Sequence, residues 1–124
     1  MDLTKILAVG FGGFIGSIIR FLITNNVKSV SFPYATLVAN FMGCFIIGAL
    51  MFYFSYKSEN TNLKLFLVTG IMGGLTTFST FSYETFNLMK NDEILKAFTN
   101  IFVSFSGCLL LTFLGFKISS LFIK

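Results

Sequence analysis

Four apolar stretches, each long enough to cross a lipid bilayer, constrain this chain more than any other feature. A hydrocarbon core about 30 Å thick asks for about 20 apolar residues in helical form. Residues 6–23, 34–56, 65–83 and 97–116 meet that length. The last three runs carry no charge, and the first carries only Arg20, near its end. The joints between them, residues 24–33, 57–64 and 84–96, are too short to house a soluble unit. Charged residues make up 11% of the chain, against about 25% in a typical globular domain. So few charges cannot cover the surface of a small water-soluble fold. The expected fold is therefore an all-α integral membrane protein, multi-pass in the cell membrane. One domain spans residues 1–124, with transmembrane helices near 4–24, 33–56, 63–89 and 93–122.

The same composition narrows the chemistry. The chain has no histidine and two cysteines, so the usual material for metal sites and for acid–base catalysis near neutral pH is missing. No hydroxyl has a plausible deprotonating partner, which excludes the ordinary nucleophilic enzymes. Cys44 and Cys108 lie inside apolar runs, where a thiol is most simply a small hydrophobe. Gly10, Gly12, Gly13 and Gly16 interrupt the first run and no small-residue cleavage site follows, so it is expected to be a retained helix rather than a signal peptide. Pro33 suits the first turn of helix 2, and Asn91, Asp92 and Glu93 are expected to cap helix 4.

With four spans, both termini share one side. Lys5, Lys57, Lys64, Lys117 and Lys124 fall there, while Arg20, Lys28, Lys90 and Lys96 fall on the other. Orientation follows the Lys and Arg imbalance, and here there is almost none. A chain so balanced can insert either way up and pair as an antiparallel, dual-topology homodimer.

Small residues four apart, Gly12 and Gly16, Ala39 and Gly43, Gly70 and Gly74, point to close helix packing. Arg20 lies one further turn along the first of these faces. It either snorkels to the interface or draws anions toward an aqueous entrance. Thr36 and Asn40 form a polar stripe on helix 2, and Asn100, Ser104 and Cys108 form one on helix 4. Each stripe can join helices by hydrogen bonds or line a polar path.

The most informative segment is Gly73-Gly74-Leu75-Thr76-Thr77-Phe78-Ser79-Thr80-Phe81-Ser82-Tyr83-Glu84. Two glycines and five hydroxyl residues weaken a helix, so helix 3 is expected to break near 73–77, close to the bilayer midplane. Irregular backbone at that depth is tolerated where it lines a cavity, and freed carbonyls can ligate a cation such as Na⁺. Phe78 and Phe81, three apart, alternate with Thr77, Ser79, Thr80 and Ser82. Their electropositive ring edges, with hydroxyl and amide donors, can meet a small anion without a full charge to trap it.

This segment resembles, at nearly every position, the Gly-Gly-x-Thr-Thr-Phe-Ser-Thr-Phe-Ser-x-Glu stretch of the Fluc family of small fluoride channels, also called the CrcB family. The resemblance extends to Gly12-Gly13-Phe14-Ile15-Gly16-Ser17-Ile18-Ile19-Arg20 in helix 1 and to Pro33, Thr36, Leu37, Asn40 and Gly43 in helix 2. It implies a passive, selective channel that exports cytoplasmic fluoride and relieves fluoride toxicity. It further implies an antiparallel homodimer with two pores and a structural Na⁺ on the dimer axis, ligated by carbonyls of Gly73 and Thr76. By the same resemblance Phe78 and Phe81 are pore aromatics, Asn40 is a pore donor, and Thr36, Glu84, Ser104 and position 108 form a polar track; the hydroxyls of Ser79 and Thr80, read above beside the aromatics, join the expected pore. Arg20 is the vestibule cation, and Cys108 replaces the family's common serine. The alternative is a small four-helix, dual-topology multidrug transporter, but that class needs an embedded acid in helix 1, which this chain lacks.

Overall fold

The computed structural model describes residues 1–123; Lys124, counted above on the terminal side, lies outside the described residues. The first helix, Leu3–Asn26, begins where the Asp2 carboxylate accepts the Thr4 N–H at 2.9 Å. The second, Tyr34–Tyr56, follows Pro33. Proline thus occupies the position before the helix rather than its first turn, and Ser29 Oγ accepts the Ala35 N–H at 2.9 Å. The cap comes from the preceding loop, six residues back.

The third span, Thr61–Lys90, is the irregular one. Asn60 caps it by accepting the Leu63 N–H at 2.9 Å. Thr61–Lys64 is α-helical, Leu65–Met72 widens to π-helical bonding, and Gly73–Leu75 returns to α. Thr76 and Thr77 are then extended, with ψ of 154° and 115°, before Phe78–Lys90 resumes as an α-helix. The interruption lies midway along the span, beside the paired glycines and hydroxyls that weaken helical bonding.

The fourth helix, Ile94–Phe122, starts differently from expectation. Asn91 ends the third span, Asp92 adopts the left-handed region with φ of 59°, and Glu93 precedes the fourth helix without a side-chain cap. The Glu93 carboxylate instead pairs with Lys96, one turn into the helix. All four spans are long and apolar enough to cross a membrane, and the chain is a membrane protein.

The helices associate in two parallel pairs. Cβ atoms built on Gly12 would strike Phe66 and Gly70, and on Gly16 would strike Ile71 and Leu75, so the first helix runs beside the front half of the third span. Likewise Gly107 abuts Phe41, Gly48 abuts Thr112 and Gly115 abuts Phe45, joining the second helix to the fourth. A small core of Ala39, Met72 and Leu75 lies where the two pairs meet, with Ile19, Ile46 and Ile71 packed around it. Large side chains such as Phe11, Phe102 and Leu121 point outward. That inversion of the water-soluble pattern suits lipid as the surrounding solvent.

Candidate functional site

The break is held open by a side chain from another helix. Asn40, on the second helix, accepts the Thr77 N–H through Oδ1 at 2.8 Å and donates through Nδ2 to the Thr77 carbonyl at 3.2 Å. One amide thereby replaces two bonds of the lost helical ladder. Thr77 in turn caps the back half of the span: its Oγ1 accepts the Thr80 N–H at 3.2 Å and donates to Thr80 Oγ1 at 3.1 Å. It also shares a hydrogen bond of 3.2 Å with Ser79 Oγ.

These diversions have a consequence for the carbonyls. In a continuous helix the Thr77 N–H would serve Gly73 and the Thr80 N–H would serve Thr76. Both donors are taken by side-chain oxygens instead. The two carbonyls singled out by the sequence resemblance are thus those stripped of their helical donors. Oxygen ligands of this kind suit a hard cation, so the residues present fit a Na⁺ site.

Phe78 and Phe81 leave the break side by side, their ring centroids 5.4 Å apart and tilted by 48°. Phe78 is 78% exposed. Around it stand exposed Ser79, half-buried Thr80 and the positive end of the helix Phe78–Lys90. Ring edges, hydroxyls and a helix N-terminus together offer partial positive charge without a cation.

Arg20 supplies the full charge nearby. It lines a cavity of about 300 Å³ with Ser17, Phe21, Thr24, Thr36, Thr77 and Thr80. Among the described residues the only ion pair is Glu93 with Lys96, so Arg20 has no carboxylate partner. Thr36 forms part of that wall and donates to Glu84 Oε1 at 2.8 Å. Glu84 lines a second cavity, about 210 Å³, together with Ser29, Ser31, Tyr83, Asn87 and Asn91. The Thr36–Glu84 hydrogen bond therefore ties the walls of the two cavities together. Glu84 Oε2 is enclosed without a hydrogen-bond partner.

On the fourth helix the stripe is buried and bonded. Ser104 donates to Asn100 Oδ1 at 3.2 Å, Asn100 donates to Thr85 Oγ1 at 2.9 Å, and Thr85 donates to the Phe81 carbonyl at 2.7 Å. This chain connects the fourth helix to the backbone of Phe81. The structure thus brings Thr36 to Glu84 and Asn40 to the break, and links Ser104 to Phe81. Gly73 lies apart from these contacts, exposed and with open space where a Cβ would stand.

Two residues gain importance that the sequence reading did not assign. Thr77 is the hub of the break rather than one hydroxyl among several; a threonine three residues ahead of Thr80 at a helix start is the usual cap pattern. Thr85 links Asn100 to Phe81, and no periodicity marks it.

Comparisons with known proteins fit this geometry. A family model described as CrcB-like protein, Camphor Resistance (CrcB), matches residues 7–116. The chain is 46% identical over 119 residues to the fluoride-specific ion channel FluC of Clostridium perfringens, covering 91% of each chain. It is 45% identical over 121 residues to that of Dehalococcoides mccartyi, covering 94% of this chain and 93% of the relative. Against that of Methanococcus aeolicus it is 41% identical over 112 residues, covering 90% and 91%.

Proposed function

The chain belongs to the CrcB family, whose relatives above are fluoride-specific ion channels, and from that premise we propose a route for fluoride through this particular molecule. It is a channel and not an enzyme. Fluoride enters by the cavity that Arg20 lines, where the guanidinium raises the local concentration of anions. It then passes the hydroxyls of Thr80 and Ser79 and the ring edges of Phe78 and Phe81, which replace its water one contact at a time. Asn40, Thr36, Glu84 and Ser104 continue the polar track. Each contact is weak, so the ion is recognised without being trapped.

The broken third span carries this reading. Thr76 and Thr77 are held extended by Asn40, and the aromatic pair starts at the next residue. A merely structural helix has no use for an opened ladder in lipid. The assembly we propose is an antiparallel homodimer with two pores, in keeping with the balanced Lys and Arg count. The Gly73 and Thr76 carbonyls of both protomers would hold a Na⁺ that neutralises their facing dipoles. Fluoride moves passively, outward from the cytoplasm under the membrane potential. Protonated HF crosses bilayers unaided and ionises in a more neutral cytosol, so the trapped anion needs such an exit.

The test is fluoride efflux from liposomes containing the purified protein, read with a fluoride electrode beside chloride-loaded vesicles. Valinomycin-dependent fluoride release without chloride release is expected. Silence from a folded, reconstituted dimer would overturn the route and reopen the multidrug-transporter reading.

A further inference from the structure

Cys44 and Cys108 stand apart from the polar contacts described above, yet they are not isolated. The second and fourth helices run parallel with their backbones in contact at Gly48 and Thr112. One turn back along each helix from that contact are Cys44 and Cys108. Side chains one turn apart share a face, so the register sets the two sulfurs opposite one another. Each is half-buried, and both are free. The sequence alone treats them as separate small hydrophobes because nothing in it says which helices pair.

We propose that Cys44 and Cys108 form a two-coordinate site for a soft divalent d¹⁰ cation, for which Hg²⁺ is the probe. Thiolate sulfur selects soft metals. Among the described residues, no group of three Cys, His, Asp or Glu is placed to hold a metal, so the tetrahedral set that zinc prefers is absent. An ion content with two opposed sulfurs is the kind such a pair can satisfy. Binding replaces two S–H bonds by two S–Hg bonds and releases two protons, with no change of oxidation state. A divalent ion with two thiolates is neutral, so its burial between helices escapes the cost of an isolated charge in lipid. Close packing of both helices on glycine holds the sulfurs together before the ion arrives, and joining two binding events in one molecule strengthens the second.

The test uses the purified, reduced protein in detergent with one equivalent of Hg²⁺ per chain, followed by a glutathione challenge and intact-mass measurement. The expected product is one mercury less two protons per chain, retained. Cys44→Ser and Cys108→Ser should each hold mercury about 100-fold less well, the advantage of a linked pair being lost. Alkylation of the parent protein gives a measure that needs no variant: one Hg²⁺ should protect both thiols together. The proposal is overturned if mercury is stripped from the parent as easily as from either single variant. Protection of only one thiol, or mercury that bridges two chains in denaturing gels, would overturn it equally.

Discussion

The two halves of the third span are joined to their neighbours by different means. The first helix lies on the front half of the third span largely through glycine: a Cβ on Gly70 would stand 2.7 Å from Gly12 Cα, and one on Gly74 would stand 2.6 Å from the Gly13 carbonyl oxygen. No side-chain hydrogen bond joins these two elements among the described residues. The back half is instead stitched to the second helix by Thr36 and Asn40 and to the fourth helix by Thr85 and Asn100. Lipid provides no hydrophobic drive for helices to associate, so contact must come from close packing or from polar side chains. Backbone contact leaves no room for water or an ion. Polar stitching leaves donors and cavities, and every proposed pathway residue except Arg20 and the carbonyl pair lies in or beside the stitched half.

The comparison is most easily broken at Gly12. Valine there would drive its side chain into the Phe66 carbonyl and the Gly70 backbone, neither of which can rotate away. Overpacking of this kind costs about 1 to 3 kcal/mol or more, and the expected outcome is loss of the folded species on size-exclusion chromatography. Gly10→Val is the control, since open space surrounds that position. Equal behaviour of the two variants would remove the argument that backbone contact holds this half.

The opposite result is expected at the aromatic pair. Phe78→Ile and Phe81→Ile should abolish fluoride efflux while the folded species still elutes intact, because the clamp at Thr77 is untouched. Wild-type efflux from either variant would sink the aromatic role.

Between these extremes lies Asn40. Asn40→Leu leaves the Thr77 N–H and carbonyl without their partner, a loss of about 1 to 3 kcal/mol for a buried polar group. Efflux should fall roughly tenfold or more at that energy, with a lower Tm as well. Asn40→Asp keeps an acceptor for the Thr77 N–H and should retain more stability than leucine. If leucine and aspartate behave alike, the clamp is not what holds the break open.

Much of this contrast could be seen in the sequence. Bilayer thickness dictates run length, so the four spans were legible from hydropathy. The glycine steps in the first and third runs were also legible, because only small residues let backbones meet. The weakened segment after Gly73 announced itself through composition. The partners did not: Thr36 reaches Glu84 across 48 positions and Asn40 reaches Thr77 across 37. Periodicity reports which face of a helix a residue occupies and is silent on what that face meets. The π-helical stretch Leu65–Met72 and the uncapped start of the fourth helix escaped for a related reason. Both depend on how neighbouring elements dock, and local propensity carries no record of that.

A subtler test addresses the break itself. Replacing Na⁺ by a large organic cation should lower the Tm of the purified protein by a few degrees if the proposed cation site is filled, since a ligand bound only to the folded state stabilises it by mass action. Indifference to the exchange would count against the carbonyls of Gly73 and Thr76 as a shared cation site.

The smallest effect belongs to Ser119, where polar stitching occurs far from the break. Its hydroxyl donates to the Ala49 carbonyl at 3.2 Å, joining the fourth helix to the second near their ends. Hydrogen bonds between membrane helices average about 0.6 kcal/mol, and the Ala49 carbonyl keeps its place in the helical ladder when the serine is removed. Ser119→Ala should therefore shift the Tm slightly and leave fluoride efflux at the parent rate. A large loss of efflux would mean that polar contacts serve conduction along the whole length of this pair. An effect confined to stability would instead place conduction with the contacts that reach Thr77, Glu84 and Phe81.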